Sequence, residues 1–433
     1  MPFFVQRDES NTVNILKIYS KCILKYTQKW YTIYMIKNSV IRSFNMDIEQ
    51  KRQVYADNAA TTAVLPEVVS AMAPCFEELW GNPSSLHDRG QRAKELLDDA
   101  RARISDILGC QPRELYFTSC GTESDNWALK GAAMAARGRK RIVTSKIEHP
   151  AVLNTCHTLE RQGFEVVYVG VNSNGVINME ELAEAINDDT IIVAVMMANN
   201  EIGTLQPIKK IAELAHAHGA LMFTDAVQAV GSIPVNVSEL GVDMLSMSGH
   251  KIGAPKGVGA LYVKRGVRLA NLIDGGGQEN GHRGGTENIP YIVGMAKALE
   301  LAVERMNDTD RIKAMRDRLI NELLKIPYTN LNGDRTERLP GNVNVSFEYI
   351  EGESLLLWLN YNGIAASTGS ACSSKSLDPS HVLLATGLPI EKAHGSLRFS
   401  LSHANTDEDI DYILKVVPEV VENLRKMSPI FPG

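Results

Sequence analysis

Residues 190–228 read TIIVAVMMANNEIGTLQPIKKIAELAHAHGALMFTDAVQ. The run 191–197 is apolar throughout and rich in branched residues, and it gives way to Asn199-Asn200-Glu201-Ile202-Gly203. An amphipathic stretch, 208–218, leads into a second apolar run, 221–224, which closes on Asp225-Ala226-Val227-Gln228. Two near-continuous apolar strands joined by an amphipathic helix predict a parallel pair buried on both faces.

Working outward, the same alternation continues in both directions. Strand candidates lie at 115–118, 141–144 and 165–169 upstream and at 243–247 and 259–263 downstream, with helical patterns at 124–136, 151–161 and 179–186. The pattern predicts an α/β fold whose large domain has a mostly parallel sheet covered by helices. After the glycine cluster 275–277 the pattern changes. A helical region 291–324, a strand 342–347, a helix 353–360, a strand 396–400 and a closing helix 407–425 predict a smaller α+β C-terminal domain. Three parts are therefore expected: an extension over 1–45, a large domain over 46–300 whose first residues can pack on the small one, and a small domain over 301–433. No repeat of fixed period is present.

Composition narrows the function classes. The chain has 433 residues, 44% hydrophobic and 22% charged, with 33 Gly and 17 Pro, inside the ordinary globular range. A net charge of -6 gives no global attraction to nucleic acid, and the longest uncharged apolar run, 190–198, is far short of the roughly 18 residues of a membrane span. Small molecules and proteins are the expected partners. Six cysteines, Cys22, Cys75, Cys110, Cys120, Cys156 and Cys372, show neither Cys-x-x-Cys nor zinc-type spacing. That usage suits a reducing compartment, and the expected location is cytoplasmic. No metal site is predicted from the residues.

The first 45 residues are chemically foreign to the rest, carrying a net +5 against -11 for the remainder. Lys17, Lys21, Lys25 and Lys29 recur every four residues among Ile15, Ile18, Ile23 and Leu24, a spacing compatible with a basic amphipathic helix. Against a targeting role, Asp8 and Glu9 come early and no apolar run precedes a small-residue cleavage site. The expectation is a disordered or artefactual extension with the working chain starting near Met46; organellar targeting is the alternative.

In open α/β sheets, ligands collect at the carboxyl ends of the strands. The segments there are Ser119-Cys120-Gly121-Thr122-Glu123-Ser124, Glu148-His149-Pro150, Asn199–Gly203, Thr224–Gln228 and Ser246-Met247-Ser248-Gly249-His250-Lys251. Each alone reads as a cap, a satisfied histidine or a solvated lysine. Together they offer a small-residue turn opening a helix, where an anion binds, then an imidazole, an amide, a carboxylate and a lysine. A pyridoxal phosphate site needs a lysine amine, an anion facing the pyridine nitrogen, a face over the ring and a phosphate cradle.

On these residues the chain resembles a pyridoxal phosphate enzyme of fold type I, class V aminotransferase branch, and more narrowly a cysteine desulfurase of the NifS/IscS type. The matching segments also include Tyr55-Ala56-Asp57-Asn58-Ala59-Ala60-Thr61-Thr62, Gly81-Asn82-Pro83-Ser84-Ser85, 283–288, 367–373 and 396–400. The resemblance implies that Lys251 carries pyridoxal 5'-phosphate and acts as base, that Asp225 pairs with the pyridine nitrogen, and that Gln228 bonds the ring hydroxyl. His149 would stack on the ring and take part in proton transfer, while Gly121, Thr122, Ser248 and His250 would cradle the phosphate. Asn200 and Arg398 would position the substrate carboxylate, and Asn200 also borders the cofactor. Thr286 would reach the phosphate of a neighbouring subunit, implying a homodimer.

Cys372 separates desulfurase from aminotransferase. It lies in the small-polar stretch 367–376, and the resemblance implies that its thiolate takes sulfur from L-cysteine as a persulfide, releasing L-alanine. The acceptor would be an iron–sulfur scaffold or a thiolation protein, and Cys372 could touch a cluster during transfer. Open alternatives are a selenocysteine lyase, a class V transaminase, or a non-catalytic partner protein of the same fold.

Overall fold

In the computed structural model, which describes residues 51–368 and 379–432, a short strand β1 (Val54–Tyr55) precedes seven strands of one sheet. These are β2 (Leu115–Thr118), β3 (Arg141–Ser145), β4 (Glu165–Val169), β5 (Thr190–Ala194), β6 (Leu221–Asp225), β7 (Met244–Ser248) and β8 (Gly259–Val263). Their order is β2-β8-β7-β6-β5-β3-β4. All neighbours pair in parallel except β8, which runs antiparallel to β7 and β2. Six strands therefore point the same way, and their carboxyl ends share one edge. β5, β7 and β8 are buried at every position, which is why they read as continuous apolar runs.

β5 stops at Ala194 although the apolar run continues to Met197. The amide of Met196 turns instead to the Glu148 carboxylate, and that of Met197 to the carbonyl of Asp225. The helical region 291–324 is two helices, Ile289–Arg305 and Thr309–Leu323, joined by a 3-10 turn. A helix the pattern did not show, Asp88–Leu108, packs against Ile289–Arg305. Its apolar face, Ala93, Leu97, Ala100, Ile104 and Leu108, is diluted by charged residues, and Gly109 ends it at φ 73°.

The second sheet is antiparallel, in the order β12 (Ser396–Ser400), β10 (Asn342–Phe347), β9 (Thr329–Leu331). β11 (Ile364–Ala365) pairs in parallel with β1. Its core unites Val345, Phe347, Leu397 and Phe399 with Leu319 and Val417 from the covering helices, and also with Val54 and Ala56. Each such side chain contributes roughly 1.5–3 kcal/mol on burial. Residues from the start of the described chain thus share a core with its last third.

The segment after β8 is anchored by a buried ion pair. Glu279, in the left-handed region at φ 46°, accepts two bonds of 2.8 Å from Arg101 and one of 3.0 Å from the Phe117 amide. Breaking such a pair from one side costs about 3–5 kcal/mol, enough to hold a strained backbone that costs about 1–3.

The described residues of 54–360, 364–368 and 379–432 form one compact unit; in the other, the described residues 51–53 meet 361–363, with Lys51 Nζ donating to the Tyr361 carbonyl at 3.1 Å. The extension 1–45 lies outside the described residues. No helix among the described residues is long and apolar enough to cross a membrane.

Candidate active site

The shared strand edge brings the expected residues together. Asp225 is the last residue of β6 and Ser248 the last of β7; Gly249–Lys251 form a single 3-10 turn immediately beyond it. His149 caps the helix Pro150–Arg161, its Nδ1 accepting from the Ala151 amide at 3.1 Å, and Pro150 suits the first helical position. Asp225 Oδ1 accepts from the Val227 amide at 2.9 Å. Burial pushes the Asp225 carboxyl up, while the neighbouring His149 and Lys251 pull it back. Burial holds the His149 imidazole below its ordinary value, as it does for His250, which falls to about 4 with Lys251 and Lys256 adding to the effect. Burial thus favours the neutral form of both rings.

Residues 57–62 cross from the second sheet to this edge. Lys251 Nζ donates to the carbonyls of Ala59 and Ala60 at 2.6 and 2.8 Å, and Gln228 Nε2 donates to Ala59 at 3.0 Å. His250 Nδ1 lies 3.1 Å from Thr61 Oγ1. At the other end, Arg398 Nη2 donates to Asp57 Oδ1 at 2.7 Å and Nη1 to the Asn200 carbonyl at 2.9 Å. Asn200 sits in a loop held by its neighbours. Asn199 accepts from the amides of Glu201 and Ile202, and the Glu201 carbonyl accepts from Asn342 and Asn344.

The residues at the start of the helix after β2 suit a pyridoxal phosphate cradle. Ser248 Oγ is buried with no partner among the described residues. The helix Gly121–Ala135 begins without a side-chain cap, leaving first-turn N–H groups for an anion. A Cβ on Gly121 would meet Val227 Cγ2 at 2.7 Å, so only glycine brings the helix this near. An orphaned hydroxyl beside an uncapped helix start, with a buried carboxylate and a lysine on the adjacent strand ends, fits the cofactor. Thr122 and His149 both line an open groove there with Asn126, Lys130, Asn154 and Thr158.

Thr286 is exposed, beyond the segment pinned by Glu279 and by the Arg283–Glu123 pair at 2.8 Å. Cys372 lies outside the described residues. Among the described residues no cluster of three potential metal ligands occurs.

Sequence reasoning missed several residues that complete the site. Asp57 stood inside a quoted motif without a role. Asp125 is fully buried and accepts from Ser246 Oγ at 2.5 Å; across the β6–β7 register Ser246 faces Asp225. Burial and the charge of Asp225 push the Asp125 carboxyl well up. Glu201 is buried against Ser380 Oγ, and His381 Nε2 lies 3.0 Å from the Glu148 carbonyl. No local signal marked them: Asp125 stands among Glu123, Ser124 and Asn126, and Glu201 follows Asn199 and Asn200.

Glu148 ties the β3 and β5 ends together, accepting from Ser145 Oγ at 2.5 Å and from the Met196 amide. Burial pushes its carboxyl from 4.5 up to about 8. The folded chain then binds a proton that the unfolded chain releases, so this stabilisation is complete below about pH 4.5 and is lost as pH rises through about 8. Glu148→Gln should flatten the dependence of the thermal unfolding midpoint on pH between about 5 and 8. An unchanged slope would assign that titration to another group.

The aminotransferase class-V family matches residues 54–413. The cysteine desulfurase IscS of Methanosarcina thermophila is 56% identical over 390 residues, covering 90% of this chain and 96% of that protein. A solved structure described as a NifS-like protein aligns with a TM-score of 0.82 at 40% identity, over 86% of this chain and 100% of that one. SspA, solved in complex with cysteine, aligns with a TM-score of 0.72 at 36% identity, over 81% of this chain and 99% of that one.

Proposed function

The chain belongs to the class-V aminotransferase family and, within it, to the NifS/IscS-type cysteine desulfurases, and from that premise we propose how its side chains divide the work. It is a pyridoxal phosphate-dependent enzyme that takes L-cysteine as substrate and passes sulfur to acceptor proteins. When bound, the cofactor supplies an electron sink that acidifies the substrate Cα–H and weakens the bond to sulfur.

In this reading Lys251 anchors the cofactor, Asp225 faces its ring nitrogen, Gln228 its ring hydroxyl and His149 its ring face. Gly121, Thr122, Ser248 and His250 hold the phosphate, and Thr286 reaches that of the neighbouring subunit, making the working form a homodimer. Arg398 and Asn200 receive the substrate carboxylate; a guanidinium fork suits it. Lys251 Nζ then removes the Cα proton. The Cys372 thiolate attacks the substrate sulfur, the carbon–sulfur bond breaks with its electron pair going to Cβ, which takes up a proton, Lys251 returns a proton to Cα, and L-alanine leaves while a persulfide stays on Cys372. Residues 46–300, whose first residues can pack on the small domain, form the cofactor domain, and 301–433 the domain that carries Arg398 and Cys372. The acceptor is an iron–sulfur scaffold or a thiolation protein in the cytoplasm, with neither nucleic acid nor membrane as partner.

The observation that carries this reading is the meeting of Lys251, Asp225 and His149 at the shared carboxyl edge of the sheet, with Arg398 attached to the same crossing segment. That SspA was solved with cysteine supports the substrate assignment. The test is incubation of the loaded enzyme with L-cysteine and a thiol reductant. L-alanine and sulfide should form in equal amounts, from a species sedimenting at twice the chain mass. A keto acid in place of alanine would make it a transaminase, and turnover of L-selenocysteine alone would make it a selenocysteine lyase.

A further inference from the structure

We propose that Asp57 is a positioning residue for substrate recognition, fixing Arg398 so that the enzyme prefers an α-amino acid over the corresponding amine. The inference rests on the reading of Arg398 as the carboxylate-binding group. The Arg398 side chain is 2% exposed, and a guanidinium buried that deeply needs a compensating charge. Asp57 is its ion-pair partner among the described residues. One donor on Nη2 goes to Asp57 and one on Nη1 to the Asn200 carbonyl, while Nε is buried without a partner. Of the five N–H groups of an arginine, three then remain, enough for a bidentate carboxylate.

Asp57 is delivered by backbone pairing. It bridges Ser400 in parallel, the Ser400 amide donates to Ala56 at 2.7 Å, and Ser400 Oγ accepts from the Ala59 amide at 2.8 Å. Ser400 lies two residues beyond Arg398 on β12, on the same face of the strand. The carboxylate is therefore set at a fixed place beside the guanidinium. Two and three residues further on, the Ala59 and Ala60 carbonyls hold Lys251 Nζ. An α-amino acid carries its amine and carboxylate on one carbon, so the site must present two groups at a fixed separation. Residues 57–60 span that separation between Lys251 and Arg398.

The test uses cofactor-loaded protein carrying Cys372→Ser to block turnover, titrated calorimetrically with L-cysteine and with cysteamine, which lacks the carboxylate. Asp57→Ala should lower the ratio of L-cysteine to cysteamine affinity about tenfold, the loss of a charged hydrogen bond. Asp57→Asn keeps the shape without the charge and should lower the ratio by about threefold; if the alanine variant does not fold, it carries the test. Cofactor content and the unfolding midpoint report the fold. A ratio within twofold of the parent, or equal losses for both ligands, would overturn the role of Asp57. Arg398→Leu separates the two ideas. If it leaves the ratio intact, the carboxylate reading itself fails; if it collapses the ratio while the Asp57 variants do not, only the present inference fails.

Discussion

Lys251→Ala protein is expected to lack covalently held pyridoxal phosphate and to form L-alanine from L-cysteine at least about 10³-fold more slowly than the parent, since a positioned base alone contributes 10²–10⁴-fold. Lys251 Nζ is held by the Ala59 and Ala60 carbonyls at the end of β7, beside the strand that ends in Asp225. Lys256 acts on the same histidine, His250, but lies five residues beyond Lys251 in the next loop. Borohydride reduction followed by peptide mapping reads the attachment site directly. Cofactor trapped on any other lysine, or a near-parental rate in Lys251→Ala, would remove Lys251 from the centre of the reaction.

Cys372→Ser should still bind L-cysteine, because Lys251, Asp225 and Arg398 are untouched, yet alanine release should fall by about 10³-fold or more. The cofactor activates the substrate, and only a thiolate can accept its sulfur. A hydroxyl is too weakly acidic and too hard a nucleophile. A free cysteine titrates near pKa ~8.5, so the parental rate should climb from mildly acidic to mildly alkaline pH, whereas substrate binding by Cys372→Ser should not follow that curve. Single-turnover alanine formation, with mass spectrometry for a persulfide, decides the matter. Near-normal alanine from Cys372→Ser, or a persulfide on Cys120, would place the sulfur acceptor elsewhere.

The main sheet was legible because each of its strands has a local signature. A parallel strand buried on both faces is a continuous apolar run, and the residue that follows it lands on the functional edge whatever the remaining topology. Asp225, His149 and Lys251 could be named as a set for that reason. The strand order and the reversed direction of β8 had no such signature, and the helix Asp88–Leu108 was hidden by its many charges.

By itself, then, the sequence carried the class of fold, through strand and helix patterns a few residues long, and, through its resemblance to a known family, the cofactor chemistry and the strand-end residues expected to serve it. Only the tertiary structure decided which distant residues meet. Asp57 reaches Arg398 across 341 positions because Val54 and Ala56 share a core with Phe399, not through any local pattern. The same holds for charge. Asp125, Glu148 and Asp225 are ordinary acids in the sequence, and it is their common burial at one edge of the sheet that raises all three, while the burial of His149 itself holds its imidazole down against the pull of Asp225. Desolvation depends on everything packed around a group, and that is assembled only when the chain folds.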